Sequence, residues 1–462
     1  MNAPSKFAMN LLLVFVGLHL IFSACFALKT PYRQAGYLFS QRDSSTGNFS
    51  HPNDIGAPDE RQHANYIRHL LKNRTLPILN PKAADLGEEY QAHQPPLFYV
   101  TAATVATLTG QTDVETRGFG LAIRFLNCLL GSVAIVGVFL GCFWASKRED
   151  IAILATAFAA ILPMNCALSG AISNDPLVIA MIAWSFAYCS RALNCEDVTK
   201  ARGYLAFAAI FVGLACVSKS SGLVALGGLF ATCISLRNTL PLKPILFTAI
   251  MAFILVLPVW IRNQILYGDP LAQNVFKEAF KPTTPSIIAG IEASNAPGSA
   301  HIQYWINWVG YWTARSFIGV FGYMDIWLNS TGRANSSKDP NLLYKILIGF
   351  IALAKVGFLV HLRNKWSEVL KPVLIGLFIS ILTLLLFVAF NLTYFQAQAR
   401  YLLPAMAPIA LILSIGWLNV FRSKLVPALL TVVVLFGGTT IYSITRLEPE
   451  FSARISGIVS PQ

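Results

Sequence analysis

About eleven long apolar runs constrain this chain more than any other feature. They fall near residues 7–28, 121–144, 151–168, 176–193, 203–217, 221–236, 244–260, 341–361, 370–391, 400–420 and 425–445. A helix of about 20 apolar residues matches the roughly 30 Å hydrocarbon core of a bilayer. Backbone groups in lipid must satisfy one another, so such runs are read as helices. Composition agrees, since 55% of the 462 residues are hydrophobic and only 12% are charged. A soluble domain usually carries about 25% charged residues. The expected fold class is an all-α polytopic membrane protein with about eleven transmembrane helices.

The net charge of +13 would suggest nucleic acid in a soluble protein. Here it is explained first by basic loops, which collect on the cytoplasmic side of membrane proteins. Lys147 and Arg148 share one short loop. Arg191, Lys200 and Arg202 fall in the next, then Arg237 and Lys243, then Arg363, Lys365 and Lys371, then Arg422 and Lys424. All five loops alternate correctly if the N-terminus with Lys6 is cytoplasmic. No nucleic-acid partner is implied. A pocket for an anionic membrane lipid is a second source of positive charge.

This count divides the chain into a first span at 1–28, a first outer loop at 29–120, spans two to seven over 121–260, a second outer loop at 261–340, spans eight to eleven over 341–445, and a short outer tail at 446–462. The run 7–28 is long for a cleaved leader, and Lys29-Thr30-Pro31 is a poor cleavage site. Pro95–Gly110 must not cross, or every later loop changes side. It is read as a surface or re-entrant helix. Trp305–Trp327 is aromatic-rich and is expected at the interface as well. Five N-x-S/T sequons, at Asn48, Asn73, Asn329, Asn335 and Asn391, all fall on expected outer segments. The eight cysteines avoid both large loops, which argues against a disulfide framework. They show no zinc-type spacing.

The outer loops carry the residues with chemistry. In Gly56-Ala57-Pro58-Asp59-Glu60-Arg61-Gln62-His63, Pro58 and the acidic pair have a plain reading as a helix start. Asp59 and His63 are four apart and share a helical face. That arrangement suits a general base or part of a metal site. Glu89 and His93 repeat the spacing before Pro95 and Pro96. Ser173-Asn174-Asp175-Pro176 reads as a helix cap or as a carboxylate at the mouth of the bundle. Arg124, Lys219 and Arg400 sit at the outer level, where the positive-inside rule disfavours them. Snorkelling to lipid headgroups is the plain explanation. A phosphate partner is the sharper one.

Taken in order, these residues resemble the GT-C superfamily of membrane glycosyltransferases, in particular the protein O-mannosyltransferase and lipid A aminoarabinose transferase type. The resemblance rests on Asp59-Glu60, His93-Gln94-Pro95-Pro96-Leu97, Arg124, Asn174-Asp175, Lys219, Tyr267-Gly268-Asp269-Pro270 and Gln398-Ala399-Arg400-Tyr401-Leu402-Leu403-Pro404. It implies an inverting enzyme that takes a sugar from a polyprenyl-phosphate carrier. The acceptor, a glycan, lipid or protein, lies outside the cytoplasm. It further implies Asp59 as catalytic base with Glu60 as the next candidate. Arg124, Lys219, Arg400 and Tyr401 are expected on the donor phosphate. His63, His93, Gln94, Asn174 and Asp175 are expected at the sugar or acceptor, with a divalent metal ion as an open cofactor. Gln94 interrupts the usual His-Pro-Pro-Leu form, and no large soluble C-terminal domain follows the last span.

A transporter or flippase of lipid-linked sugars, or another outer-face glycan ligase or polymerase, is the alternative. Transporters place ionisable residues near the midplane and show internal repeats. This sequence places its polar residues in two outer loops. The expected location is a bacterial cytoplasmic membrane with the site outside, and the sequons keep an endoplasmic reticulum membrane as the alternative.

Overall fold

The computed structural model describes residues 3–43, 47–295, 297–328, 342–366 and 370–458. Nine helices among them are long and apolar enough to cross a bilayer: Lys6–Lys29, Arg117–Ser146, Asp175–Leu193, Val198–Ser218, Leu242–Tyr267, Leu342–Asn364, Lys371–Asn391, Leu403–Val420 and Leu425–Ser456. The chain is an integral membrane protein. Two of the expected eleven spans depart from a simple rod. The run at 151–168 is a pair, Glu149–Ile161 and Pro163–Ser169, bent by 62°. The run at 221–236 forms a shorter apolar helix, Ser220–Leu236.

Pro163 explains the bend. It lacks an N–H, and it drives Leu162 before it to an extended conformation (φ −68°, ψ 121°). The carbonyls freed by the break lie where water is scarce and need partners. Asn165 Nδ2 donates to the Ala159 carbonyl at 2.9 Å. His19 Nδ1 donates to Ala160 at 2.9 Å and Thr440 Oγ1 to Ile161 at 2.6 Å. The first and last spans are therefore tied to the break.

Contacts fix which helix ends lie together. Asn174 reaches the Ser218 carbonyl, so the start of the Asp175 helix meets the end of the Val198 helix. Tyr267 and Arg262 reach Leu79 and Pro77, so the Leu242 helix ends beside the first loop. That helix is 26 residues long, or about 39 Å. Its start is therefore at the far end, and the short Ser220–Leu236 helix carries the chain there. Pro95–Gly110 behaves differently. Its helix, Leu97–Leu108, starts beside Gln94 and is followed by Val114, whose carbonyl accepts from the Tyr32 hydroxyl at 2.6 Å. Both flanks stay at one end of the bundle, and the helix does not traverse it.

In the aromatic run Trp305–Trp327, Trp308 is exposed and Trp327 is buried, packed on Tyr311, Trp312 and Tyr344. Of the five sequons, Asn329 and Asn335 lie outside the described residues. Asn391 is fully buried and donates its amide to the Phe387 carbonyl. That side chain is closed to modification in the folded protein.

One buried ion pair joins the two large loops to the last helix. Arg454 Nε donates to Asp325 Oδ2 at 2.6 Å, with both side chains fully buried. Asp325 also accepts from the backbone of Phe39 and Ser40 in a two-stranded ribbon, Leu38–Arg42 with Phe49–Ser50. The last helix thus stays ordered to Ser456 and buries Leu447, Phe451 and Arg454. Breaking a buried pair from one side costs roughly 3–5 kcal/mol, because the other charge is stranded. Arg454 keeps a second partner in Glu450 at 2.7 Å, so Asp325→Ala should lower stability by less than that, read as an earlier unfolding transition of the detergent-solubilised protein.

Candidate active site

The turn that opens the first loop's helix sets the geometry. The helix Glu60–Asn73 begins one residue after Asp59, which adopts left-handed φ 64°, ψ 0° and makes no side-chain cap. That conformation is uncommon for a residue with a side chain. Such strain persists where surrounding structure enforces it, and it concentrates at functional sites. Gly56 just before it admits no larger residue, since a Cβ there would stand 2.5 Å from the Pro31 carbonyl oxygen.

Asp59 meets residues from distant parts of the chain. Arg400 and Tyr90 both donate to its carboxylate, whose side chain is 20% exposed. Burial alone would raise the Asp59 carboxyl. The Arg400 guanidinium and the Tyr90 hydroxyl outweigh burial and hold it at about 2. Arg400 is opposed by burial but is raised well above the usual arginine value by Asp59, Tyr401 and Asp175. Its Nε has no hydrogen-bond partner among the described residues. Lys219 Nζ lies 2.5 Å from Asp175 Oδ1, and Ser173 Oγ donates to Asp175 Oδ2 at 2.8 Å. Tyr401 stands between the two cations, with Arg400 5.3 Å and Lys219 5.8 Å from its ring centroid.

The remaining expected site residues form the wall of this cluster. His63 Nδ1 is 2.8 Å from the Tyr99 hydroxyl. Burial pushes the imidazole down to about 3 against the pull of Asp59, so it is neutral. Burial likewise lowers His93 to about 4, although its Nδ1 donates to the Tyr90 carbonyl at 2.7 Å. A neutral His93 then accepts from Gln94 Nε2 through Nε2, at 3.1 Å. Gln94 Oε1 in turn accepts from Asn174 Nδ2 at 3.3 Å. The residue that interrupts the His-Pro-Pro-Leu form is thus the link between the first loop and the Asn174-Asp175 turn. Asn174 Oδ1 has no partner among the described residues.

Arg124 and Glu60 stand apart from this cluster. Arg124 Nε and Nη2 bind Glu60 at 2.7 and 2.5 Å, with the side chains 1% and 0% exposed. Arg124 also donates to the carbonyls of Ala27, Thr30 and Pro31. A guanidinium has five N–H donors, and these contacts use them all. Glu60 further accepts from the Ile172 N–H at 2.8 Å. The pair is closed on itself, unlike Arg400 with its free Nε.

A divalent metal ion fits these residues poorly. Among the described residues no three His, Cys, Asp or Glu side chains are grouped to hold one. Asp59 and Asp175 are already committed to cations and hydroxyls. Sequence reading did not single out Tyr90, Tyr99 or Ser173. Tyr90 and Ser173 lie inside motifs that were noted, but nothing local marks which neighbour a tyrosine or serine will meet.

The two adjacent acids should separate experimentally. Glu60→Ala strands Arg124 in the interior, and a loss of roughly 3–5 kcal/mol is expected. Asp59→Asn keeps an oxygen acceptor, and Asn tolerates the left-handed conformation. Thermal unfolding should therefore shift more for the first variant, whose pair is fully buried, than for the second, which leaves Arg400 the nearby charge of Asp175.

Residues 99–267, which include Arg124, Asn174, Asp175 and Lys219, match the family model of dolichyl-phosphate-mannose-protein mannosyltransferase. No curated protein matches the chain in sequence. The solved archaeal oligosaccharyltransferase AglB from Archaeoglobus fulgidus, in complex with an inhibitory peptide and a dolichol-phosphate, is similar at TM-score 0.56 and 14% identity. That match covers 96% of this chain and 56% of that one, so this chain spans little more than half the archaeal protein's length. ArnT from Cupriavidus metallidurans, bound to undecaprenyl phosphate, is similar at TM-score 0.51 and 13% identity over 97% of this chain and 75% of that one. The Archaeoglobus fulgidus oligosaccharyltransferase in complex with Zn and sulfate matches at TM-score 0.51 and 13% identity, over 93% and 53%. The chain thus shares the fold of these solved membrane transferases, and its segment 99–267 is similar to the mannosyltransferase family model.

Proposed function

We propose that the chain is an inverting glycosyltransferase that moves a sugar from a polyprenyl-phosphate carrier to an acceptor hydroxyl on the non-cytoplasmic face. The observation that carries this reading is two carboxylate–cation pairs, Asp59 with Arg400 and Asp175 with Lys219, set around Tyr401, with polar atoms of Arg400 and Asn174 that have no partner among the described residues. The five basic loops at the opposite end of the bundle support the outward orientation of the site. The structural relatives printed with dolichol-phosphate and undecaprenyl phosphate support the carrier class. A bacterial cytoplasmic membrane suits this arrangement.

The chemistry follows from the charges. Asp59 orients the acceptor hydroxyl and takes its proton as that oxygen bonds to the anomeric carbon. The bond from that carbon to the phosphate oxygen breaks on the opposite face, which inverts the centre and releases polyprenyl phosphate. Arg400 and Lys219 stabilise the charge that develops on the leaving phosphate, and Tyr401 donates to it. An arriving phosphate competes with Asp59 for Arg400. Losing part of that partner raises the carboxyl from its low resting value and makes it a better base. Asn174, Gln94 and His93 offer neutral hydrogen-bonding groups to the sugar. Asp175 holds Lys219 in place. We assign Arg124 and Glu60 to anchoring the loop rather than to the donor phosphate and the base.

Asp59→Asn should abolish transfer from a labelled polyprenyl-phosphate sugar while membrane insertion and undecaprenyl-phosphate binding persist. Normal turnover of that variant would remove Asp59 as the base. Arg400→Ala loses a charge-assisted contact of roughly 1.5–3 kcal/mol, so donor affinity should fall about 10- to 100-fold. Equilibrium binding of undecaprenyl phosphate measures it, and an unchanged affinity would take Arg400 off the phosphate.

A further inference from the structure

Asp59 also lines a second space. A cavity of about 140 Å³ lies among Asp54, Asp59, Glu60, Arg61, Glu88 and Tyr323. None of Arg400, Lys219 or Tyr401 borders it, so it is separate from the cationic side of the cluster. Its rim joins both outer loops, because the Tyr323 N–H donates to the Gly56 carbonyl at 2.8 Å. Tyr323 itself sits in the left-handed region at φ 52°. Its neighbour Asp325 is held by Arg454.

The lining is acidic, and pairing separates its members. Glu60 is neutralised by Arg124, Glu88 by Arg61 at 2.7 Å, and Asp59 by Arg400. Asp54 has no ion-pair partner among the described residues. Its side chain lies in a residue only 6% exposed. One oxygen accepts from the Gly56 N–H at 2.9 Å, and the other has no hydrogen-bond partner among the described residues. Burial, with Glu60 adding repulsion, pushes this carboxyl up to about 6. A buried carboxyl in that condition is stabilised by a hydrogen-bond donor and still more by a cation.

We infer that this cavity is the acceptor's approach to Asp59, and that it takes a hydroxyl carried beside a positively charged hydrogen-bond donor. Asp59 receives the hydroxyl and Asp54 receives the cationic group. A phosphate or carboxylate beside the hydroxyl meets the Asp54 carboxylate, which has no ion-pair partner among the described residues, and is disfavoured by like charge. The cavity admits one small group at a time, so it reads the atoms next to the reacting hydroxyl and not the whole acceptor. This inference rests on Asp59 being the base.

The test uses the full-length protein in detergent and two small hydroxyl probes, 2-aminoethanol and glycolate. The wild type should bind 2-aminoethanol at least about tenfold more tightly than glycolate. Asp54→Asn should erase that preference while undecaprenyl-phosphate binding stays unchanged. Asn53 borders the same cavity and is exposed, so Asn53→Lys places a fixed cation there with little risk to folding. It should reverse the preference, and it decides the matter if Asp54→Asn does not fold. Equal binding of the two probes by the wild type, or a preference that survives in Asn53→Lys, would overturn the inference. Failure of undecaprenyl phosphate to bind the wild type would instead strike the proposed function, so the two failures are told apart.

Discussion

The buried pair of Arg124 and Glu60 holds the loop-bearing end of the bundle together. Arg124 grips the three carbonyls where the first span ends, at Ala27, Thr30 and Pro31. Glu60 brings in the start of the first loop's helix and, through Ile172, the turn before Asn174. Such a pair gains little net stability over well-packed apolar residues, since both charges lose their water. What it supplies is register: the first loop, the second span and the Asn174 turn are fixed relative to one another. Asp59, one residue from Glu60, inherits that fixity and its left-handed backbone.

From that anchor the charges sort by their degree of satisfaction. Arg124, Glu60, Arg454 and Asp325 are closed networks. Among the described residues Arg400 Nε, one oxygen of Asn174 and one of Asp54 have no hydrogen-bond partner. An unmet polar atom in the interior costs free energy, and these three, among several such atoms, are the ones grouped around Asp59. Two of them lie with the cations and one lies on the other side of Asp59. A carboxylate between a cationic half-site and an acidic one suits a displacement in which an anion leaves and a hydroxyl attacks. The bend at Pro163 serves the same end of the molecule at greater depth. Its freed carbonyls recruit His19 and Thr440, so the first and last spans close around the bundle below the site.

Much of this was legible in the sequence because it is local. Apolar run length gave the spans, and the basic loops gave their alternation. The spacing of Asp59, His93, Asn174, Lys219 and Arg400 pointed to one end of the bundle, and those residues do meet. The sequence was less informative where a break or a partner is non-local. The run at 151–168 conceals a bend whose cost is met by residues far away in the chain. The Asn391 sequon looks like a surface site, yet its amide caps the end of its own helix. Tyr90 carries no charge and no pattern, so its hydrogen bond to Asp59 had no signal in the sequence.

The sequence by itself determined that this chain lives in a membrane, that its polar chemistry gathers beside two loops at one end, and that an acidic pair opens the first of them. It did not determine which acid of that pair stays available. Asp59 sits in a left-handed turn just before the helix that Glu60 opens, so the two side chains leave the backbone in different directions and only Glu60 reaches Arg124. The tertiary structure turned Glu60 into the interior and left Asp59 toward Arg400. It also left Asp54, an unremarkable loop residue, buried with no ion-pair partner among the described residues. Both outcomes depend on side chains brought together from segments distant in sequence, and no local pattern encodes where such segments pack.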